Sequence, residues 1–346
     1  TYYIYLFGHI NAANLLKENI SYIEYIHCIL STILLLFYIP CVYVIIKKKL
    51  ILYSCYKIIL FLCFIDILAL IYGLCCSIFS ILKISYCLAP KIHLFIGAST
   101  ITLWAGSCCT AMTLVINRLI DAFNQRVHAF LFDGNKTYFW LLIPITYMVF
   151  FFFFNSSSIL SIKHHVFFFD PFVDYLSHNN TIDYNQLAGP ALIINNLYFL
   201  IILIILNIIY IIKLYFKTKS YGMDKNTSKL LKKVKFQVLS ICFITYFTAL
   251  LYISIQYLNV PEFIVFLTQF SYLFCHGSSG VIYLFFNYSI KEYFFKVIKK
   301  KKSNILEKVS KIKTVTHVTK FVSCKITFNG KIFFLTIVKI KLKFNS

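Results

Sequence analysis

Charged residues are scarce in this chain. Only 13% of its 346 residues are charged, whereas 60% are hydrophobic and 19% are aromatic. A soluble domain of this size carries roughly a quarter of its residues as charges, because its surface must face water. The composition therefore excludes an ordinary soluble domain and indicates an integral membrane protein.

Arginine is rarer still. Arg118 and Arg126 are the only arginines beside 32 lysines, and both follow the third long apolar run. Lysine would serve equally well as a positive charge at a membrane edge. Arginine is needed where a planar, permanently charged group must bond several acceptors. Arg118 is therefore a candidate functional residue, and a simple capping role at the end of the third helix is the alternative.

Metal and cofactor motifs are also lacking. The twelve cysteines form no C-x-x-C pair and no cysteine–histidine cluster with zinc spacing. Most of them lie inside apolar runs, where a free thiol packs as a small apolar side chain. The nine histidines do not cluster as a membrane-embedded enzyme would require. We therefore expect no metal, no cofactor and no enzymatic activity.

Seven apolar runs are long enough to cross ~30 Å of hydrocarbon, which takes about 20 helical residues. Backbone polar groups in lipid can bond only to one another, so these runs must be helices. The alternating pattern of a membrane β-barrel is absent. The sequence therefore predicts an all-α membrane protein, a seven-transmembrane helix bundle with spans at 23–46, 56–80, 92–118, 138–154, 191–216, 234–258 and 262–290.

The basic residues alternate between the loops. Of the 34 lysines and arginines, 30 fall in 47–57, 118–137, 213–235 and 291–346, which predicts that these stretches are cytoplasmic. The segment 1–22 is then extracellular, and its composition predicts no signal peptide. The charges come in bursts between apolar runs, which favours anionic lipid as a partner and argues against nucleic acid.

Sequons test this orientation only weakly, since they occur on both sides. The glycosylation candidates on the outer side are Asn19, Asn155 and Asn179, whereas Asn135, Asn226 and Asn287 also match on the inner side. Beyond the last span, 291–302 has an apolar face among lysines, which is typical of an amphipathic helix on a membrane surface. The basic cytoplasmic tail 303–346 has no core of its own, which favours disorder.

Two spans contain polar residues at mid-membrane depth. Asp66 is the only acidic residue deep in an apolar run, so it must face the bundle interior and find partners there. Asn207, Ser279, Asn287 or a cation are the candidates. In the seventh span, the segment 276–280 (HGSSG) is expected to weaken the helical hydrogen bonding. Neighbouring helices can supply partners for the backbone groups that are released.

Several segments together resemble the nematode serpentine chemoreceptors, class T. These segments are SCYKIILFLCFIDILAL (54–70), LWAGSCCTAMTLVINRLID (103–121), WLLIPITY (140–147) and HGSSGVIYLFFNYSI (276–290). The resemblance covers about residues 20–295. It implies a chemosensory G-protein-coupled receptor in the plasma membrane of a sensory neuron or its cilium, with a small-molecule ligand and a heterotrimeric G protein as partners.

The same resemblance implies an activation switch at Arg118, Asn117, Asp66 and Asn287. Asn117 stands where receptors of this architecture keep an acidic partner for the arginine, so an adjacent acid–arginine pair is not expected. The proline usual in the His-Gly motif is replaced by Ser279 or Gly280. Cys87 has no partner for the usual disulfide to the second outer loop, because residues 110–241 contain no cysteine.

A ligand pocket is expected in the outer half of the bundle. Trp104 lies fourteen residues above Arg118, which is about 21 Å along a helix. An apolar cavity with a few convergent polar groups suits a small molecule. The candidates at this depth are Trp104, Ser107, Tyr252, Gln256, Gln269, Tyr272 and His276. A transmembrane transporter or ligand-gated channel subunit is the alternative function.

Overall fold

The computed structural model describes residues 22–86, 88–162, 164–169, 190–220, 225–258, 260–287, 289–297, 321–328 and 331–338. These residues form two units, which divide after Lys291. The first unit is a bundle of long helices with a small hairpin. The second unit contains a two-stranded sheet.

The helices of the first unit follow the apolar runs. In chain order they are α1 (Tyr22–Lys47), α2 (Ser54–Ile81), α3 (Pro90–Phe123), α4 (Gln125–Phe132), α5 (Lys136–Phe154), α6 (Pro190–Ile194), α7 (Leu200–Ser220), α8 (Lys225–Tyr257) and α9 (Glu262–Phe286). A 3-10 turn, Leu50–Leu52, separates α1 from α2, and a π-helical turn, Asn195–Phe199, joins α6 to α7. The fifth span is therefore α6, the π turn and α7 together.

Within the part of the chain that the structure describes, five stretches are long and apolar enough to cross a membrane, namely Tyr22–Lys47, Ser54–Ile81, Pro90–Phe123, Lys136–Phe154 and Ala191–Phe216. The first part of α8 is basic, so its apolar stretch is confined to Leu239–Ile255. The 25 residues of α9 extend over ~37 Å at the usual helical rise. These helices form the seven-helix bundle that the apolar runs predict.

The third span, α3, is the central helix of the bundle. It packs against α2, α5 and α7, and 72% of its apolar stretch is buried, compared with 22% in α5. It also continues to Phe123, five residues beyond Arg118. The extension forms because Ala122 packs with Tyr210 and Leu214 of α7. Arg118 therefore does not cap the third helix.

The seventh span, α9, is an unbroken helix from Glu262 to Phe286, so the glycines do not loosen it as the sequence suggested. They allow close packing against α1 instead. A Cβ atom at Gly277 would overlap a methyl carbon of Leu34, and one at Gly280 would lie 3.0 Å from the Tyr38 ring. The helix ends at Asn287, and residues 289–297 are helical again.

The predicted outer loop after α5 contains two short strands, β1 (Ile159–Ser161) and β2 (Val166–Phe168). They pair antiparallel with Leu160 opposite Phe167, and we call them the outer hairpin. Leu160 and Phe167 pack on Cys76 and Ile96. The backbone of Ser158 lies so close to Gly97 of α3 that a Cβ atom there would overlap the Ser158 carbonyl oxygen.

The second unit contains the antiparallel strands β3 (Phe321–Phe328) and β4 (Lys331–Val338). Their register pairs Phe321 with Val338 and Phe328 with Lys331. The sequence suggested disorder here because the tail lacks a core. The pairing has a local sequence signal, since the strands are rich in β-branched and aromatic residues and Asn-Gly, between them, favours tight hairpins.

Candidate functional site

Three buried side chains from three helices meet at the centre of the bundle. Asp66 of α2 lies with Oδ1 2.8 Å from Nδ1 of His276 on α9, and with Oδ2 3.0 Å from the hydroxyl of Tyr38 on α1. The Tyr38 hydroxyl also donates to the backbone carbonyl of His276. We call these residues the central triad. The partner of Asp66 is therefore His276, with a further hydrogen bond from Ser279.

The central triad is sealed from solvent. The side chains of His276 and Asp66 are 0% and 1% exposed, and Tyr38 is equally buried. A lone carboxyl at this depth would cost several kcal/mol, so its polar contacts are what make Asp66 tolerable there. The three residues thereby link α1, α2 and α9.

An aromatic layer lies beside His276. The Trp104 ring of α3 packs edge-on to the His276 ring at 6.2 Å between centroids, and the Tyr272 ring does so at 4.6 Å. Nε2 of His276 and the hydroxyl of Tyr272 are buried and have no hydrogen-bond partner among the described residues. The structure thus brings three of the pocket candidates together.

The fifth span contributes two asparagines to this layer. Trp104 donates from its indole nitrogen to Oδ1 of Asn196 at 2.8 Å, and Asn195 donates to the same oxygen at 3.1 Å. Tyr147 of α5 donates to Oδ1 of Asn195 at 3.2 Å. Both asparagines lie in the π turn, a geometry that often marks functional sites because it redirects side chains.

The other pocket candidates are spread more widely. Tyr252 of α8 donates to Gln269 of α9 at 3.4 Å, and the Tyr252 ring contacts the Tyr272 ring. Ser107 is half-buried on α3. Gln256 lies within α8, and its side chain is outside the described part of the structure.

Arg118 faces the interior of the bundle near the predicted cytoplasmic end. It lines a small cavity of about 40 Å³ between five helices. The other lining residues are Ile59, Leu62, Ala111, Leu114, Val115, Tyr210, Ile241, Cys242 and Tyr283. Among the described residues, no carboxylate forms an ion pair with Arg118. The half-buried guanidinium is therefore surrounded by mostly apolar side chains and two tyrosines.

Asn117, the neighbour of Arg118, points to a different site. It is buried and donates to the hydroxyl of Ser54 at the start of α2 at 3.1 Å. It also lies 3.0 Å from Nε2 of His128 on α4. Asn117 therefore fastens the short helix α4 to α2 and α3, and does not pair with the arginine.

Asn287 holds the junction after the seventh span. Its Oδ1 accepts from the hydroxyl of Tyr56 on α2 at 3.0 Å and from the backbone nitrogen of Ile290 at 3.3 Å. The second bond caps the start of the helical segment 289–297, the kind of N-terminal cap that asparagine provides well. The predicted amphipathic helix 291–302 overlaps this segment, and residues 298–302 lie outside the described part.

A second acid–histidine pair lies at the predicted outer rim. Glu24 of α1 lies 2.8 Å from Nδ1 of His165, next to β2, and the two side chains are 4% and 11% exposed. The His165 ring stacks on Phe266 of α9. His165 has a positive φ of 56°, which is uncommon for a residue other than glycine. The close approach brings the outer hairpin against α1, although Nδ1 of His165 makes no hydrogen bond within the described residues.

The remaining sequence-derived sites are less informative. Asn155 follows α5 and donates to the carbonyl of Ser156, whereas Asn19, Asn179 and Cys87 lie outside the described residues. Within the described ranges, no group of three or more histidine, cysteine or acidic side chains is arranged to hold a metal ion.

Sequence reasoning missed four participants, namely Tyr38, His128, the Asn195–Asn196 pair and the Glu24–His165 pair. Tyr38 is one of 26 tyrosines, and nothing local distinguishes it. The Asn195–Asn196 pair did carry a signal, since two adjacent amides inside an apolar run must find partners in the bundle.

The comparisons with known proteins agree with this architecture. No curated protein matches the chain. The model of the serpentine type 7TM GPCR chemoreceptors, Srt, matches residues 10–307, and it confirms the class suggested by the sequence motifs and the predicted seven-helix membrane fold. The chain therefore belongs to the Srt family of serpentine seven-transmembrane chemoreceptors.

Proposed function

We propose that this receptor binds a small environmental molecule in the outer half of the bundle and activates a heterotrimeric G protein at its cytoplasmic face. Family membership supports a ligand and a G protein in general terms. The geometry of the buried polar residues supports the particular sites. The proposed location is the plasma membrane of a sensory neuron or its cilium.

The observation that carries the proposal is the double position of His276. Its ring belongs to the aromatic layer with Trp104 and Tyr272, and its Nδ1 contacts Asp66 in the central triad. A molecule that shifts the His276 ring therefore changes a contact that joins α1, α2 and α9. Such a two-sided contact gives a ligand different binding energies in two bundle arrangements, which is what activation requires.

Arg118 is the proposed contact for the G protein. Its guanidinium faces a small cavity among α2, α3, α7, α8 and α9, so a shift of these helices changes access to it. Arginine suits this role because its planar group can bond backbone carbonyls or a carboxylate with several donors at once. Asn117 and Asn287 would set the geometry by holding α4 and the end of α9.

The test is a G-protein activity reporter in cells that express the full chain and are exposed to volatile and water-soluble cues. Arg118→Ala should abolish the response to any activating cue while surface delivery is unchanged. Arg126→Ala is the matched control, because Arg126 is the only other arginine and lies exposed on α4. Full signalling by Arg118→Ala would exclude the proposed role of this residue.

Orientation is tested separately with an epitope tag at either end of the chain. An N-terminal tag should be stained in intact cells, and a C-terminal tag only after permeabilisation. The reverse result would place Arg118 on the outer side and exclude the proposed coupling surface.

A further inference from the structure

We propose that the cavity beside Arg118 is a binding site for one small inorganic anion of the size of chloride. The hydrogen-bond donors of the site are the Arg118 guanidinium and the hydroxyls of Tyr210 and Tyr283, since these residues line the same cavity. The site goes beyond the proposed function, because its occupation requires neither an activating molecule nor a G protein.

The positive charge at the cavity lacks an ion-pair partner within the described ranges. The charge of Asp121, one turn further along α3, acts on Arg118, but Asp121 is not among the residues that line the cavity. Asn117 is uncharged and lies against Ser54 and His128 instead. A half-buried cation among apolar side chains is costly without a counter-charge, so these surroundings favour an anion.

The guanidinium and both phenol hydroxyls can donate hydrogen bonds at the cavity. A guanidinium has five N–H donors and no acceptor. Tyr283 is fully buried, and its hydroxyl has no hydrogen-bond partner in the described part of the chain. The charge of Arg118 acts on the phenol groups of Tyr210 and Tyr283, so the three groups lie near one another. Water can bond to each of them, but only an anion both accepts from all three and balances the charge.

The size of the cavity limits what can bind there. Its volume is about 40 Å³, whereas pockets for drug-sized molecules have about 300–1,000 Å³. A single water needs about 10–15 Å³ of such space. The cavity therefore has room for a few waters or for one halide ion, and an organic anion such as gluconate does not fit.

Thermal unfolding of the purified receptor in lipid nanodiscs tests the site. Chloride replaces gluconate stepwise at constant sodium concentration and ionic strength. Because the site exists only in the folded receptor, chloride at about ten times its dissociation constant should raise the unfolding temperature by roughly 2–4 °C. Equal unfolding temperatures in the two salts would mean that only water occupies the cavity, and the proposal would be wrong.

Substitutions at the cavity distinguish a specific site from a general salt effect. Arg118→Ala should abolish the chloride shift, and Tyr283→Phe should raise the chloride concentration at half-effect about fivefold, because one hydrogen bond is lost. Arg126→Ala and Tyr252→Phe are the matched controls, since Arg126 is exposed on α4 and Tyr252 bonds to Gln269 and does not line the cavity. An identical shift in all four variants would indicate an adventitious ion effect only and would contradict the site.

A carboxylate introduced into the cavity should replace the anion. Leu114 lines the cavity and precedes Arg118 by four residues on α3, so a glutamate at this position can reach the guanidinium. Leu114→Glu should therefore lose the chloride shift, whereas Leu114→Gln, which has the same shape and no charge, should keep it. The same result in both variants would contradict a site that balances the charge of Arg118.

Discussion

The described residues of the bundle include two acid–histidine pairs with the same separation in very different surroundings. Asp66 and His276 at the centre and Glu24 and His165 at the rim are each separated by 2.8 Å. The central carboxyl has both oxygens bonded. At the rim, neither Oε2 of Glu24 nor Nδ1 of His165 has a hydrogen-bond partner among the described residues.

This difference teaches that the role of such a pair depends on its other contacts. The central pair is one part of a network that joins three long helices, so it contributes to the bundle as a whole. The rim pair joins a short hairpin to the end of α1, so its loss should be felt locally. Each pair can be broken by substitution in turn. Global unfolding and local opening are measured separately, so the two effects can be distinguished.

The largest effect is expected from His276→Phe. This change leaves the acid of Asp66 buried without its main partner, and we expect a loss of about 3 kcal/mol in the free energy of unfolding. Chemical denaturation of the purified receptor measures it. Tyr272→Phe is the control, since the Tyr272 hydroxyl has no described partner to lose. Equal losses in both variants would mean that ring packing, and not the pair, determines the effect.

The next effect should come from Gly280→Ala, which tests the packing that positions Tyr38. A new Cβ atom would lie 3.0 Å from the Tyr38 ring and push it from Asp66. We expect a loss of about 1–2 kcal/mol in the free energy of unfolding. Ser278→Ala is the matched control, because its hydroxyl bonds only a carbonyl of the same helix among the described contacts. If Gly280→Ala leaves the free energy of unfolding unchanged, the central triad does not depend on the close contact between Gly280 and the Tyr38 ring.

A smaller and local effect is expected from Glu24→Gln at the rim. The amide removes the carboxylate beside His165, so the outer hairpin should open more often while global stability changes by less than about 1 kcal/mol. Hydrogen exchange of residues 159–162 and 166–168 measures this opening. The control is Glu262→Gln, an exposed acid at the start of α9. Unchanged exchange would show that the apolar packing alone holds the hairpin.

The smallest effect should come from Asn117→Ala. This substitution removes the uncharged hydrogen bonds that hold α4 at the predicted cytoplasmic end of the bundle. The variant loses its bonds to Ser54 and His128. These two side chains still contact each other at 3.2 Å, so we expect a cost of only about 0.5 kcal/mol. Faster amide exchange in 125–132, with the outer hairpin unchanged, is the expected pattern. An equal change at both ends would mean that the two fastenings are not independent.

Part of this site follows from general rules applied to single residues. Asp66 had to find partners inside the bundle, because lipid offers none. The depth of Trp104 and His276 followed from helical rise alone. The identity of the partners did not follow, since Asn207, Ser279 and Asn287 were all reasonable candidates for Asp66. Only the packing of α1 and α9 on α2 selected His276 and Tyr38.

Arg118 is a second residue whose surroundings could not be derived from the sequence. Its rarity as an arginine marked it as functional, but the hydrophobic run before it suggested a helix end. The apolar contacts of Ala122 with α7 extend α3 by more than a turn, and Arg118 consequently faces a cavity inside the bundle. Hydropathy cannot distinguish a residue at a helix end from one that faces a neighbouring helix.

The sequence by itself determined that this protein is a seven-helix membrane protein, because lipid forces long apolar runs into helices whatever their neighbours are. Its motifs also determined the family. The tertiary structure decided which polar groups meet, since residues as distant as Tyr38 and His276 come into contact only when Gly277 and Gly280 allow α9 to approach α1. Such contacts depend on the shapes of both helices at once, and no single stretch of sequence contains that information.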